Sequence, residues 1–224
     1  MTSSRKNAII VGVLFIAATV FGVIAAAIYS PIVNAPDYLL KLSAHEDQIV
    51  LVSILEFFMA MSCAGIGIAL YPIIKKYSEG LAIGTVGFRI IESMTQVFLA
   101  VIMISLLALS REFVNASAPI GSYFQTTGAI LKAGSDWMSN GAMLLPWCIA
   151  ALMYYSVFYN SRLIPRWISG WGLIGITLTI ISSVLVMFDP AFGTIQTFAN
   201  IPIALQEMVM AVWLIVKGFN VRTI

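Results

Sequence analysis

Six stretches of this chain are each long and apolar enough to cross a bilayer, and that feature restricts the fold more than any other. A hydrocarbon core about 30 Å thick is spanned by about 20 residues of helix. The qualifying windows are residues 8–29, 48–71, 81–109, 137–159, 167–188 and 199–217. Lipid offers no hydrogen bonds to a backbone, so runs of this kind must close their own as helices. Only termini and loops remain outside the windows. The expectation is therefore an all-α, polytopic membrane protein: one transmembrane domain over residues 1–224, built as a six-helix bundle. Composition agrees. Charged residues make up 10% of the chain, against roughly 25% in a soluble domain.

The windows carry local expectations. The third exceeds the length of one span, which predicts tilt or a helix projecting past the membrane. Pro146 lies inside the fourth and should kink it. Arg5 and Lys6 precede the first window, with Ala25-Ala26-Ala27 near its end, a pattern that resembles a signal peptide. Its apolar run outlasts the roughly 7–15 residues of a signal core, so it is expected to stay as the first span.

Lys and Arg at the span ends set the orientation. Arg5, Lys6, Lys75, Lys76, Arg162, Arg166, Lys217 and Arg222 fall on one side, and Lys41, Arg111 and Lys132 on the other. That bias puts both termini in the cytoplasm, which needs an even number of spans. Of the outer segments, residues 30–47 read as a short polar crossing. Residues 111–135 read as a cap over the outer mouth, carried by Tyr123, Phe124, Ile130 and Leu131.

The inventory excludes several classes. A net charge of +2 without a basic run does not suit nucleic acid. Haem held by two imidazoles fails because His45 is the single histidine, and clustered zinc ligands are missing. Cys63 and Cys148 each sit in an apolar stretch and read as small buried hydrophobes. No G-x-S-x-G motif and no mid-span lysine occurs. No cofactor is expected, and no recognisable catalytic motif points to an enzyme.

Ionisable groups at membrane depth cost about 2.5–3.5 kcal/mol each, so each needs a reason. Four sit well inside spans: Glu56, Arg89, Glu92 and Glu207. Ser53, Glu56, Ala60, Cys63 and Gly67 follow helical spacing on the second span. Thr85, Arg89, Glu92 and Gln96 do so on the third, and Asn200, Ala204, Glu207 and Ala211 on the sixth. Asp136, Asn140, Met143, Trp147 and Tyr154 run inward along the fourth. Such faces should meet protein rather than lipid, and a six-helix bundle can join them in one polar core. Arg89 and Glu92, one turn apart, can pair on the same helix. Glu56 and Glu207 are then left without a basic partner, and must be protonated, hydrated or cation-bound. Two readings stand side by side: ionic glue between helices, or a ligand or proton site made of Glu56, Arg89, Glu92, Gln96, Asn140 and Glu207. Arg89 alone can also snorkel toward the cytoplasmic interface. Ala18, Gly22 and Ala26 form a small-residue face that permits close helix approach.

Three passages resemble a known family. They are Ala69-Leu70-Tyr71-Pro72-Ile73-Ile74-Lys75, Gly87-Phe88-Arg89-Ile90-Ile91-Glu92, and Leu163-Ile164-Pro165-Arg166-Trp167-Ile168-Ser169-Gly170. On them the chain resembles the bacterial integral-membrane family known as domain of unknown function 4386. The resemblance implies six spans and no assigned activity. It also implies a histidine early in the fourth span, where this chain has Asp136-Trp137-Met138-Ser139-Asn140.

The functional expectation is a multi-pass protein of a bacterial inner membrane that binds or transports a small molecule or ion at a buried Glu/Arg site. The alternative is a non-transporting sensor, immunity factor or accessory subunit acting through a membrane-protein partner or a second copy of itself. A third option is the six-span substrate-binding subunit of a vitamin importer.

Overall fold

The computed structural model describes residues 3–117 and 122–220. Arg222, counted above on the inner side, and residues 118–121 of the expected cap lie outside the described residues. The order of elements is α1 (Ser3–Val33), α2 (Tyr38–Ala44), α3 (Glu46–Ile74), α4 (Glu79–Asn115), α5 (Tyr123–Trp137), a π-helical turn (Met138–Ala142), α6 (Leu144–Ser161), α7 (Arg166–Phe188), a 3-10 turn (Pro190–Phe192) and α8 (Gly193–Val216). Among the described residues there is no strand. Six helical stretches are long and apolar enough to span a membrane: α1, α3, α4, α5 through α6, α7, and the 3-10 turn with α8.

The spans close into a ring. α1 packs on α3, α3 on α4, α4 on α6, α6 on α7 and α7 on α8, and α8 returns to α1. Each span thus contacts its neighbours in sequence, as short connections require. Ile68, Val101, Ile174 and Leu205 stay more than half exposed on the outside of the ring. Apolar exposure on that scale belongs against lipid, not water.

Glycine sets the closest approaches. A Cβ on Gly12 would stand 2.6 Å from the Ala211 carbonyl oxygen, and one on Gly67 would stand 3.0 Å from the Arg89 Cβ. These positions hold α1 against α8 and α3 against α4. Helix ends are closed locally. Ser78 caps α4 by accepting the Leu81 N–H at 3.3 Å. The Arg5 guanidinium donates to the Leu214, Ile215 and Val216 carbonyls at the end of α8, where a cation is favoured.

Several boundaries differ from expectation. α4 runs 37 residues, about 55 Å at 1.5 Å per residue, so the long third span does project past a bilayer. Residues 30–47 are not a plain polar crossing: α1 continues through Pro31 to Val33, and α2 follows. α2 forms because Leu39 and Leu42 are buried, a face too short for a hydropathy window to register. The turn after α3 shrinks to 75–78, because α3 continues through Pro72 to Ile74.

The fourth span also differs. It begins at Tyr123, and its break lies at Met138–Ala142 rather than at Pro146. Met143 N–H bonds the Met138 carbonyl at 3.0 Å, a π-type step. A proline ring clashes with the carbonyl four residues earlier, here Ala142. The widened turn ends at that residue, so the strain expected at Pro146 is absorbed just before it.

The end of the bundle away from both termini, the outer end expected from the Lys and Arg bias, carries a small second core. Phe113 of α4 and Phe124 of α5 meet edge to face at 6.0 Å, with Leu39 of α2 beside them. Ser110 Oγ donates to the Leu39 carbonyl, and Arg111 pairs with Glu46. Of the four residues expected to carry the cap, Phe124 is buried and Leu131 packs against the neighbouring core, while Tyr123 and Ile130 face outward.

Candidate functional site

Arg89 is 2% exposed, in the middle of the bundle rather than snorkelling to an interface. Its Nε donates to the Cys63 carbonyl at 3.1 Å, and its Nη1 lies 2.9 Å from Glu92 Oε2. That contact is an ion pair out of hydrogen-bond alignment. The guanidinium also lies over the Phe15 ring, 5.9 Å from its centroid. A buried charge is tolerable only when paired and bonded, and α1, α3 and α4 each contribute to that here. Gln96, one turn on from Glu92, donates its Nε2 to Cys63 Sγ at 3.6 Å. Its Oε1 is fully buried and has no partner.

From α8, Glu207 enters the same space. The Tyr154 hydroxyl donates to Glu207 Oε1 at 3.4 Å, and Trp147 lines the cavity with it. Arg89, Glu92, Gln96 and Glu207 thus line one cavity of about 220 Å³. Phe15, Trp147, Met59 and Met143 supply most of its aromatic and thioether surface. Phe15 also packs with Tyr154, Tyr155 and Phe158 in one hydrophobic core.

Two expected site residues are not brought in. Glu56 is buried, but it lines a separate cavity of about 340 Å³ nearer the outer end. Depth explains this. Cys63 is level with Arg89, and Glu56 lies seven residues above it on α3, about 10 Å along the axis. Asp136, Tyr29 and Ser135 share that outer cavity, and Met59 and Met143 line both spaces. Asn140 lines neither cavity; its Nδ2 donates to the Asp136 carbonyl at 2.9 Å across the π-helical turn.

The small face of α1 permits the close approach expected of it at Gly22, where a Cβ would stand 2.9 Å from Met59 Sδ of α3, and it also borders both cavities. Ala18 lines the central cavity and Gly22 and Ala26 the outer one. Their missing side chains leave volume, partly filled by Met59 against Gly22.

Sequence reasoning missed the polar pairs that α8 makes with α6 and α7. Tyr155 donates to Gln206, whose Nε2 donates to the Ile168 carbonyl at 3.0 Å. Thr179 donates to Asn200 Oδ1 at 2.9 Å. Gln206 sits beside Glu207, turned about 100° away by helical geometry; that spacing was the available signal.

A closed ring of six lipid-facing spans around buried ionisable side chains defines a polytopic membrane protein with a largely apolar cavity into which those side chains are set. Within that class the chain belongs to the family described as Domain of unknown function (DUF4386), whose profile matches residues 10–218. No curated protein and no solved structure matches the chain.

Proposed function

We propose that the protein binds a small molecule or ion in the central cavity, between Arg89, Glu92, Gln96 and Glu207, and serves its recognition or passage across a bacterial inner membrane. The observation that carries this reading is Gln96. A fully buried amide oxygen without a partner costs about 1–3 kcal/mol, and Gln96 stands in the wall of a cavity that Arg89 and Glu207 also line. Ionic glue alone accounts for Arg89 with Glu92, but not for empty volume beside an unused acceptor. The basic bias at the span ends supports cytoplasmic termini. The outer cavity then lies on the route from the far side, with Met59 and Met143 as flexible side chains between the two spaces.

Native mass spectrometry of protein extracted gently from its own membranes tests the reading. Wild type is expected to carry a small non-lipid mass that Glu207→Gln loses while staying folded. Two folded proteins without such a mass, or an identical mass on both, would refute the assignment.

A further inference from the structure

Two opposite charges line the central cavity without meeting, and they narrow the ligand class, an inference that rests on the function proposed above. The Arg89 guanidinium spends only its Nε in an aligned hydrogen bond, to the Cys63 carbonyl at 3.1 Å. Its Nη1 lies 2.9 Å from Glu92 but out of line with it, and Nη2 has no partner among the described residues. Neither Nη nitrogen is sealed in by protein, and Arg89 forms part of the cavity wall. Glu207 reaches the same space from α8 and receives one long hydrogen bond, from Tyr154 at 3.4 Å. No ion pair joins Arg89 to Glu207, although each lies within the field of the other.

Buried opposite charges held apart across empty volume leave hydrogen-bonding capacity unspent on both sides, at a cost in free energy. A ligand that recovers it must accept from Arg89 and donate to Glu207. A simple anion would suit the guanidinium but stand beside the carboxylates of Glu92 and Glu207. A simple cation would suit Glu207 but stand beside Arg89. A molecule with one charge of each sign answers both, and charge-assisted hydrogen bonds are roughly twice as strong as neutral ones. Phe15, Met59, Ile66, Trp147 and Ile203 make much of the remaining wall apolar, so the rest of the ligand is apolar too. At about 220 Å³ the space falls below the ~300–1,000 Å³ of drug-sized ligands, which keeps that part short.

We propose that the central cavity takes a small zwitterion, an α-amino acid with an apolar side chain. Its carboxylate accepts from the Nη groups of Arg89, its ammonium group donates to Glu207, and its side chain lies against Trp147 and Met59.

Four probes on one carbon skeleton decide the class: leucine, 4-methylpentanoate without the amine, 3-methylbutylammonium without the carboxylate, and neutral 4-methylpentanamide. Each is titrated at neutral pH onto detergent-purified full-length protein, followed by thermal shift and tryptophan fluorescence. Leucine should bind at least tenfold tighter than each of the other three. Glu207→Gln should weaken leucine at least tenfold, as loss of one side of a buried charge pair does. The same variant should bind 4-methylpentanoate more tightly, because a charge that repels it is gone. Equal or tighter binding of a singly charged or neutral probe would overturn the zwitterion assignment while leaving a binding site in place. A folded Glu207→Gln that binds leucine like wild type would overturn it as well. Absence of binding by every probe, with a retained mass in native spectrometry, would overturn it and spare the site. Absence of both would remove the site too.

Discussion

Arg89→Ala is expected to destabilise the protein by about 3–5 kcal/mol, read as the free energy of unfolding in mild detergent. That is the range for removing one partner from a buried ion pair. The side chain is 2% exposed, donates to the Cys63 carbonyl and holds Glu92. Its loss leaves Glu92 as a carboxylate without a cation, a carbonyl without a donor and a hole beside Phe15. Glu207→Gln and Glu56→Gln should cost about 1 kcal/mol or less. Neither residue carries an ion pair, and glutamine keeps the shape. The double change Arg89→Met with Glu92→Leu should recover much of the loss, because removing both charges leaves neither unpaired. If Arg89→Ala unfolds like wild type while the glutamine variants collapse, the ionic core is assigned to the wrong residues.

The second large effect concerns packing. Gly12→Val should destabilise by about 1–3 kcal/mol, the usual cost of forcing volume into a filled interface. A Cβ at this position already meets the Ala211 carbonyl oxygen at 2.6 Å and Ile215 Cγ1 at 2.7 Å. Ile215 can rotate, but the backbone oxygen cannot. The valine must therefore push α1 away from α8, the contact that closes the ring. A comparable change at Gly87 meets no atom within 4 Å, so Gly87→Val should have a much smaller effect. Equal melting of the two variants would show that the α1–α8 contact does not close the bundle.

The sequence made the spans legible because each long apolar run has one solution in lipid. It also made Arg89 with Glu92 legible, since positions three apart share a helical face. Short helices were not visible: α2 buries Leu39 and Leu42, too few residues to shift a hydropathy average. The early start of the fourth span was hidden because Gln125, Thr126, Thr127, Lys132, Ser135 and Asp136 lower the hydropathy of α5 although apolar residues lie among them. The π-helical turn was visible only as a proline, whose effect fell one turn ahead of its position. The site was half legible for a specific reason. Helical spacing shows which residues share a face, but not how deep each lies when six helices are set side by side. Glu56 was grouped with Glu92 and Glu207 by face and separated from them by depth. Phe15 carried no signal, because an aromatic residue in an apolar run looks like any other until a cation packs over it.

The central claim is that the space between Gln96 and Glu207 is built to hold a ligand. It is tested most directly by a high-resolution structure of protein kept in its native lipid throughout purification, compared with Glu207→Gln prepared in the same way. The account predicts discrete non-protein density in wild type, against Arg89 and the Glu207 carboxylate in the central cavity and absent from the variant. A wild-type cavity closed by rearranged protein side chains, with Gln96 Oε1 bonded to one of them, would contradict it.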